Sequence, residues 1–163
     1  MQLDIDIVDW PEETLWADLS ERVHAAVADV EPALAGERLT TSILFTSDSE
    51  VHVLNKEWRG KDKPTNVLSF PMLEREDLLA LEAEGPPEML GDIALAFETC
   101  QREAEEKGVS LRDHTAHLLV HGFLHLAGHD HVDSDEQAAA MEKLEIEALA
   151  KLGIADPYGD RDK

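Results

Sequence analysis

The eleven residues from His121 to His131, His-Gly-Phe-Leu-His-Leu-Ala-Gly-His-Asp-His, constrain this chain more than any other stretch. In a helix, residues four apart stack on one face, so His121 and His125 can turn a ring nitrogen toward the same point. Gly128 falls where the helical pattern ends, and a glycine there can take the left-handed conformation that reverses the chain. Such a reversal brings His131 back toward that point. Three neutral imidazoles with one open position are the arrangement a catalytic zinc requires, whereas a fully occupied set of four would be structural. The expectation is a metal site on a helix of the C-terminal half and the turn after it, one Zn2+ per chain or another divalent transition metal, with His121, His125 and His131 as ligands.

This spacing is the metzincin pattern His-Glu-x-x-His-x-x-Gly-x-x-His with one change, Gly122 in place of the glutamate. In zinc peptidases that glutamate is the general base, and a glycine cannot replace it. The geometry therefore says metal hydrolase while the missing base speaks against peptidase chemistry. His117 lies one turn before His121 and is a candidate to orient a ligand from behind, against the alternative of an ordinary core histidine. Asp130, between His129 and His131, is a candidate for the same work, against a role in the turn. His24, His52, His114 and His129 read as ordinary.

A single cysteine, Cys100, leaves no internal disulfide and fits a reducing compartment. No apolar run approaches the roughly 18 residues that cross a bilayer, and the first eleven residues carry three aspartates where an export signal would be basic, so a cytoplasmic protein without membrane contact is expected. With 14 basic against 36 acidic residues the net charge of −22 repels polyanions at long range. The basic residues are unevenly spread, however. Lys56, Arg59, Lys61 and Lys63 crowd into one short segment opposed only by Glu57 and Asp62, so a local positive patch survives the global acidity.

The rest of the chain, 163 residues with 43% hydrophobic, suits one compact core, and one domain over 1–163 is expected, with 156–163 a loose tail. Leu3–Val8 alternates apolar and polar as a half-buried strand does. Pro11 and two glutamates are expected to open a helix with apolar positions Leu15, Leu19, Val23, Val27 and Val30, ended by Pro32. A second strand spans Leu39–Thr46, and a helix capped by Ser47 or Asp48 runs through Trp58, whose indole is expected in the core. A third strand covers Asn66–Phe70, stopped by Pro71, and a fourth Gly91–Phe97; between them Leu73–Met89 reads as an exposed acidic excursion. Helices follow over Glu98–Lys107, Ser110–Ala127 and Ser134–Leu152. Strands early and helices late predict an α+β fold, a mixed sheet of about four strands packed with helices.

The histidine motif, together with Asn55-Lys56-Glu57-Trp58-Arg59-Gly60-Lys61-Asp62-Lys63-Pro64-Thr65-Asn66-Val67-Leu68-Ser69-Phe70-Pro71, resembles the YbeY family of bacterial ribosomal RNA maturation endoribonucleases. Gly91-Asp92-Ile93, the acidic helix with Met141-Glu142, and the ending from Leu152-Gly153 to Asp156-Pro157-Tyr158 fit that resemblance. It implies a zinc-dependent, single-strand-specific endoribonuclease that matures the small-subunit ribosomal RNA end and serves ribosome quality control. Its implied partners are single-stranded or ribosomal RNA and components of the ribosome or of small-subunit assembly. It also implies metal ligands at His121, His125 and His131 and a functional arginine at Arg59. Where this chain has His129, members of the family often carry tyrosine, which here adds an imidazole beside the ligand set.

With that function the basic segment has a use. The planar fork of Arg59 can hold the scissile phosphate in two bonds while Lys61 and Lys63 hold its neighbours, the alternative for Arg59 being a carboxylate salt bridge. Trp58 could stack on a base, but a tryptophan ending an amphipathic helix is more often core. Attack on phosphorus by activated water leaves a 5′-phosphate, and attack by the ribose 2′-hydroxyl leaves a 2′,3′-cyclic phosphate; both readings stay open. Two rivals remain beside the nuclease: a metallopeptidase or amidase, and a non-enzymatic, zinc-containing ribosome assembly factor.

Overall fold

The computed structural model describes residues 1–12, 14–61, 65–129 and 134–158. Four strands form one mixed sheet: β1 (Gln2–Ile7), β2 (Leu39–Thr46), β3 (Val67–Pro71) and β4 (Glu88–Ala96), in the order β1-β2-β4-β3. β1 and β4 both run parallel to β2, with Ile5 beside Ile43 and Ile43 beside Ile93, and β3 is antiparallel to β4 at the edge. That edge position explains why Pro71 belongs to the strand it was expected to stop. A proline lacks the N–H of a ladder bond, and only one side of an edge strand needs it.

Strand side chains alternate between two faces, and the sheet uses both. Ile43, Phe45, Ile93 and Leu95 join the main core. That core is filled by α1 (Trp16–Val30), α5 (Leu111–Leu126) and α6 (Asp135–Lys151), which contribute Leu19, Val23, Leu119, Phe123 and Leu149. Leu68, Ala94 and Ala96 point the other way and meet Val51 of α2 (Asp48–Arg59). The short α3 (Arg75–Ala80) lies within the expected acidic excursion and buries Leu78, and α4 (Phe97–Lys107) follows β4 directly. Trp10, buried against Trp16, Phe45 and Phe97, closes one end of the core. Its packing also corrects the start of α1. Pro11 accepts the Trp16 indole N–H through its carbonyl at 2.7 Å, and α1 begins at Trp16 and not at Pro11.

α5 is the central element. Eleven of its sixteen residues are buried, the pattern of a helix surrounded by other structure, and Ser110 caps its start by accepting the Asp113 N–H at 3.0 Å. Gly122 lies where α5 crosses β4: a Cβ there would stand 3.1 Å from Ile93 Cδ1. The helix therefore sits close on the sheet and turns its other side, with the histidines, toward a cleft.

Candidate active site

His114, His117, His121 and His125 recur at helical spacing along α5, so their rings form a row. At its far end His121 Nε2 and His125 Nε2 converge to 3.0 Å, with the rings nearly perpendicular at 76°. Behind His121 stands Glu145 of α6, whose side chain is 1% exposed. Its Oε1 accepts the His121 Nδ1–H at 2.6 Å. That bond fixes the His121 tautomer and leaves the Nε2 lone pair aimed toward His125 and the cleft.

Glu145 is satisfied on both oxygens. Oε2 accepts the Tyr158 hydroxyl at 2.5 Å and His117 Nε2 at 3.3 Å, and His117 Nε2 also lies 3.1 Å from the Tyr158 oxygen. Burial pushes the carboxyl pKa up, but the hydrogen bonds from His117, His121 and Tyr158 outweigh it and bring it down to about 2. The group is therefore an anion at neutral pH. Nothing in the sequence distinguishes Glu145 from the other acids of α6; the only local hint is its position four residues after Met141, which is also buried. His117, buried one turn before His121, meets this carboxylate, and Tyr158, from the segment expected to be a tail, reaches it too.

Above this row opens a cleft of about 1410 Å³. Arg59, Lys61, Arg75 and Lys107 line it, with Glu74 the one acidic residue among its described lining. For a chain with 36 acids and 14 basic residues, this is a local reversal of sign. Arg59 sits at the exposed end of α2, where Gly60 takes the left-handed conformation at φ 70° and stops the helix. Among the described residues Arg59 makes no ion pair, so the expected alternative of a carboxylate bridge has no partner there. Trp58 beside it is 71% exposed, which corrects the expectation of a core indole: α2 ends one turn beyond buried Asn55, and among the described residues no element packs over that ring.

Two further anchors shape the cleft. Glu103 of α4 takes Asn66 Nδ2 at 3.0 Å and His114 Nε2 at 2.9 Å, tying the strand after the basic segment to α5. Burial raises the Glu103 carboxyl, but the bonds from His114 and Asn66 carry it below the ordinary value; burial keeps His114 below its own. On the other side, Arg75 donates to the Ala127 carbonyl at 2.7 Å and pairs with buried Glu31 at 3.3 Å. Glu31 also bonds His129 Nε2 at 2.5 Å, so His129 is engaged instead of ordinary. Together these hold the turn at Gly128, whose φ is 96° and whose missing Cβ would meet Arg75 Cβ at 2.6 Å. Gly128 thus takes the positive φ expected of it, while the return of the chain toward His131 falls outside the described residues. His24, by contrast, meets the Leu34 carbonyl at 2.9 Å away from the cleft, and burial raises the Cys100 thiol pKa strongly, which makes it inert.

The family model described as Endoribonuclease YbeY matches residues 6–153. This chain belongs to the YbeY family. It is 70% identical over 161 residues to the Endoribonuclease YbeY of Erythrobacter litoralis, covering 99% of each chain. To the Endoribonuclease YbeY of Novosphingobium aromaticivorans it is 55% identical over 163 residues, covering 99% of this chain and 97% of that one. The solution structure of TM1509 from Thermotoga maritima superposes with a TM-score of 0.61 at 22% identity, over 99% of this chain and 92% of that one, and shares the α+β fold.

As a member of the YbeY family the chain can be asked whether its donors suit a metal ion. Two imidazole nitrogens bound to one tetrahedral zinc at about 2.0–2.1 Å stand about 3.3 Å apart, close to the 3.0 Å between His121 and His125. A buried carboxylate on the far nitrogen of a ligand is the usual support for such an ion. The donor set fits. No cluster of three or more histidine, cysteine or acidic ligands occurs among the described residues. The third expected ligand, His131, lies outside them, as do Asp130 and Lys63.

Proposed function

We infer that this chain is a metal-dependent endoribonuclease that cleaves single-stranded RNA, with ribosomal RNA and assembling small subunits as its setting. The site would be His121, His125 and His131 around one zinc ion. What carries the reading is one observation: the converging His121 and His125 nitrogens, backed by the buried Glu145 anion, lie in a cation-lined cleft on an otherwise acidic protein. Such a cleft attracts the phosphate backbone locally although the whole molecule repels it. The printed name shared by the relatives, Endoribonuclease YbeY, supports the same chemistry.

When bound, the ion supplies Lewis acidity at a phosphate oxygen and a nucleophile at neutral pH. The protein does the rest. His121 and His125 present their Nε2 atoms, and Glu145 orients His121 by accepting a hydrogen bond from its Nδ1–H at 2.6 Å. Arg59, exposed at the end of α2, directs its fork into the cleft and stabilises charge developing on the scissile phosphate. Lys61 and Lys107 hold flanking phosphates, with Lys63 continuing the basic segment, while Arg75 stays paired with Glu31.

A peptidase would need its base beside His121, and position 122 faces Ile93 of the sheet instead of the cleft. The deciding experiment is cleavage of single-stranded RNA by protein of defined metal content, beside His121→Ala and His125→Ala variants and with casein as a control substrate. RNA cleavage that needs the metal and both histidines is expected. Chelator-sensitive peptide cleavage with RNA left intact would reverse the assignment.

A further inference from the structure

Trp58, next in the chain to the cleft-lining Arg59, is a large side chain that the core does not use. It is 71% exposed, while the other two tryptophans, Trp10 and Trp16, are 4% and 3% exposed. On α2 it follows Val51 and Asn55 on the face turned to the sheet, where sequence periodicity would bury it. The helix stops at Gly60 before any element covers that turn. A single exposed apolar side chain is common on protein surfaces, so it is the position of this one, beside cleft-lining cations, that carries weight.

Its neighbours suggest the use. Arg59 is the next residue of α2, and Lys61 follows across the glycine. Both line the cleft that runs to His121 and His125. A flat π-surface beside cations that bind phosphate is the pairing by which proteins hold single-stranded nucleic acid: the cations take the backbone and the ring takes a base. We propose that Trp58 is a base-stacking platform that seats an unpaired RNA base next to the phosphate held by Arg59, and so helps the site favour single strands over duplex. A base inside a duplex is stacked on its own neighbours and cannot reach the ring, which makes the contact a selector as well as a source of affinity. This rests on the endoribonuclease reading above.

The test is single-turnover cleavage of a short single-stranded RNA, with the enzyme concentration at half-maximal rate and the maximal rate recorded separately. Trp58→Ala should raise the half-maximal concentration about tenfold, the loss of one stacked base, and leave the maximal rate nearly unchanged. Trp58→Phe should recover most of the affinity, and discrimination against duplex RNA should fall in Trp58→Ala. A set of RNAs with one abasic position moved along the strand supplies the control: at one position near the cleaved bond, wild type and Trp58→Ala should become equal. RNA should also quench the wild-type tryptophan emission and not that of Trp58→Phe, since only the exposed indole can meet the strand. Equal half-maximal concentrations for wild type and Trp58→Ala on intact RNA would overturn the platform and hand the indole to a protein contact. So would a defect that persists with every abasic RNA. If Trp58→Ala fails to fold, the Phe variant, the abasic series on wild type and the quenching decide by the same criteria. Wild-type protein that neither binds nor cleaves RNA overturns the functional reading itself and the platform with it, an outcome distinct from the others.

Discussion

Replacing Glu145 with glutamine removes one charge and almost no volume, yet it disturbs every contact the side chain makes. Both carboxylate oxygens accept hydrogen bonds, Oε1 from His121 and Oε2 from Tyr158 and His117. A glutamine has one acceptor oxygen and one NH2: turned one way the NH2 meets the His121 Nδ1–H, and turned the other it faces Tyr158 and His117, where the hydroxyl must change from donor to acceptor. Each hydrogen bond to a charged group contributes about 1.5–3 kcal/mol, so losing one and burying a clash costs about 3 kcal/mol. The carboxyl pKa gives the same size by a second route: a fall from 4.5 to about 2 corresponds to about 3 kcal/mol of preference for the folded anion. In a domain of this length that lowers Tm by roughly 6–12 °C. The sign with pH is fixed as well. A depressed carboxylate contributes stability above its unfolded pKa of 4.5 and loses it as pH falls toward 2, so metal-free Glu145→Gln should lack that part of the acid transition. Zinc affinity should fall about 10- to 100-fold, because the far nitrogen of His121 is no longer held. Thermal scans in chelator across pH, with zinc competition against a chelating dye, measure all three. A variant that binds zinc as wild type does and melts at the wild-type temperature would refute the reasoning. Lowered Tm with unchanged affinity would leave Glu145 as a core anchor alone.

Arg59→Ala should slow single-turnover RNA cleavage about a hundredfold, roughly 3 kcal/mol, with Tm and zinc content unchanged; Arg59→Lys should restore only part of the rate, since a point charge lacks the planar fork. A wild-type rate in Arg59→Ala would remove the phosphate clamp. His114, held below its ordinary pKa chiefly by burial, favours the folded chain fully above pH 6.5 and progressively less as pH falls through its folded pKa. Tm recorded from about pH 8 to about pH 5 should therefore decline less in His114→Gln than in wild type, and parallel curves would contradict this. Gly91→Ala would drive a Cβ into the Phe70 carbonyl oxygen, a backbone atom that cannot rotate away, and should cost about 3 kcal/mol or more as read from denaturant midpoints.

The sequence carried the elements better than their tertiary partners. β2 is bounded as its Thr, Ile, Leu and Phe run predicts, and Ser47, Ser110 and Ser134 cap the helices that their spacing marks. β4 begins earlier than expected, at Glu88, because Glu88 and Met89 pair with Leu39 and Thr40 across a bulge, a distant contact that no local pattern encodes. The converging histidine pair was legible because i and i+4 are neighbours by helix geometry alone. Glu145 and Glu103 were not, since each is one acid among many until α6 and α4 pack against α5. Trp58 misled for the opposite reason: its periodicity was right, but the sheet offers no layer beneath it.

Gly122 bears on how chemistries come to differ on one ligand pattern. Restoring the peptidase glutamate at this position is a change of a single codon's meaning, yet the first carbon of any side chain there meets Ile93 at 3.1 Å. A side chain at 122 starts on the sheet side of α5, away from the cleft, and Ile93 would have to give by a few tenths of an ångström to admit even its first carbon. The close seating of α5 on β4 thus both crowds that position and turns it from the cleft. Selection on hydrophobic packing can in this way hold a catalytic repertoire narrow without ever acting on a substrate.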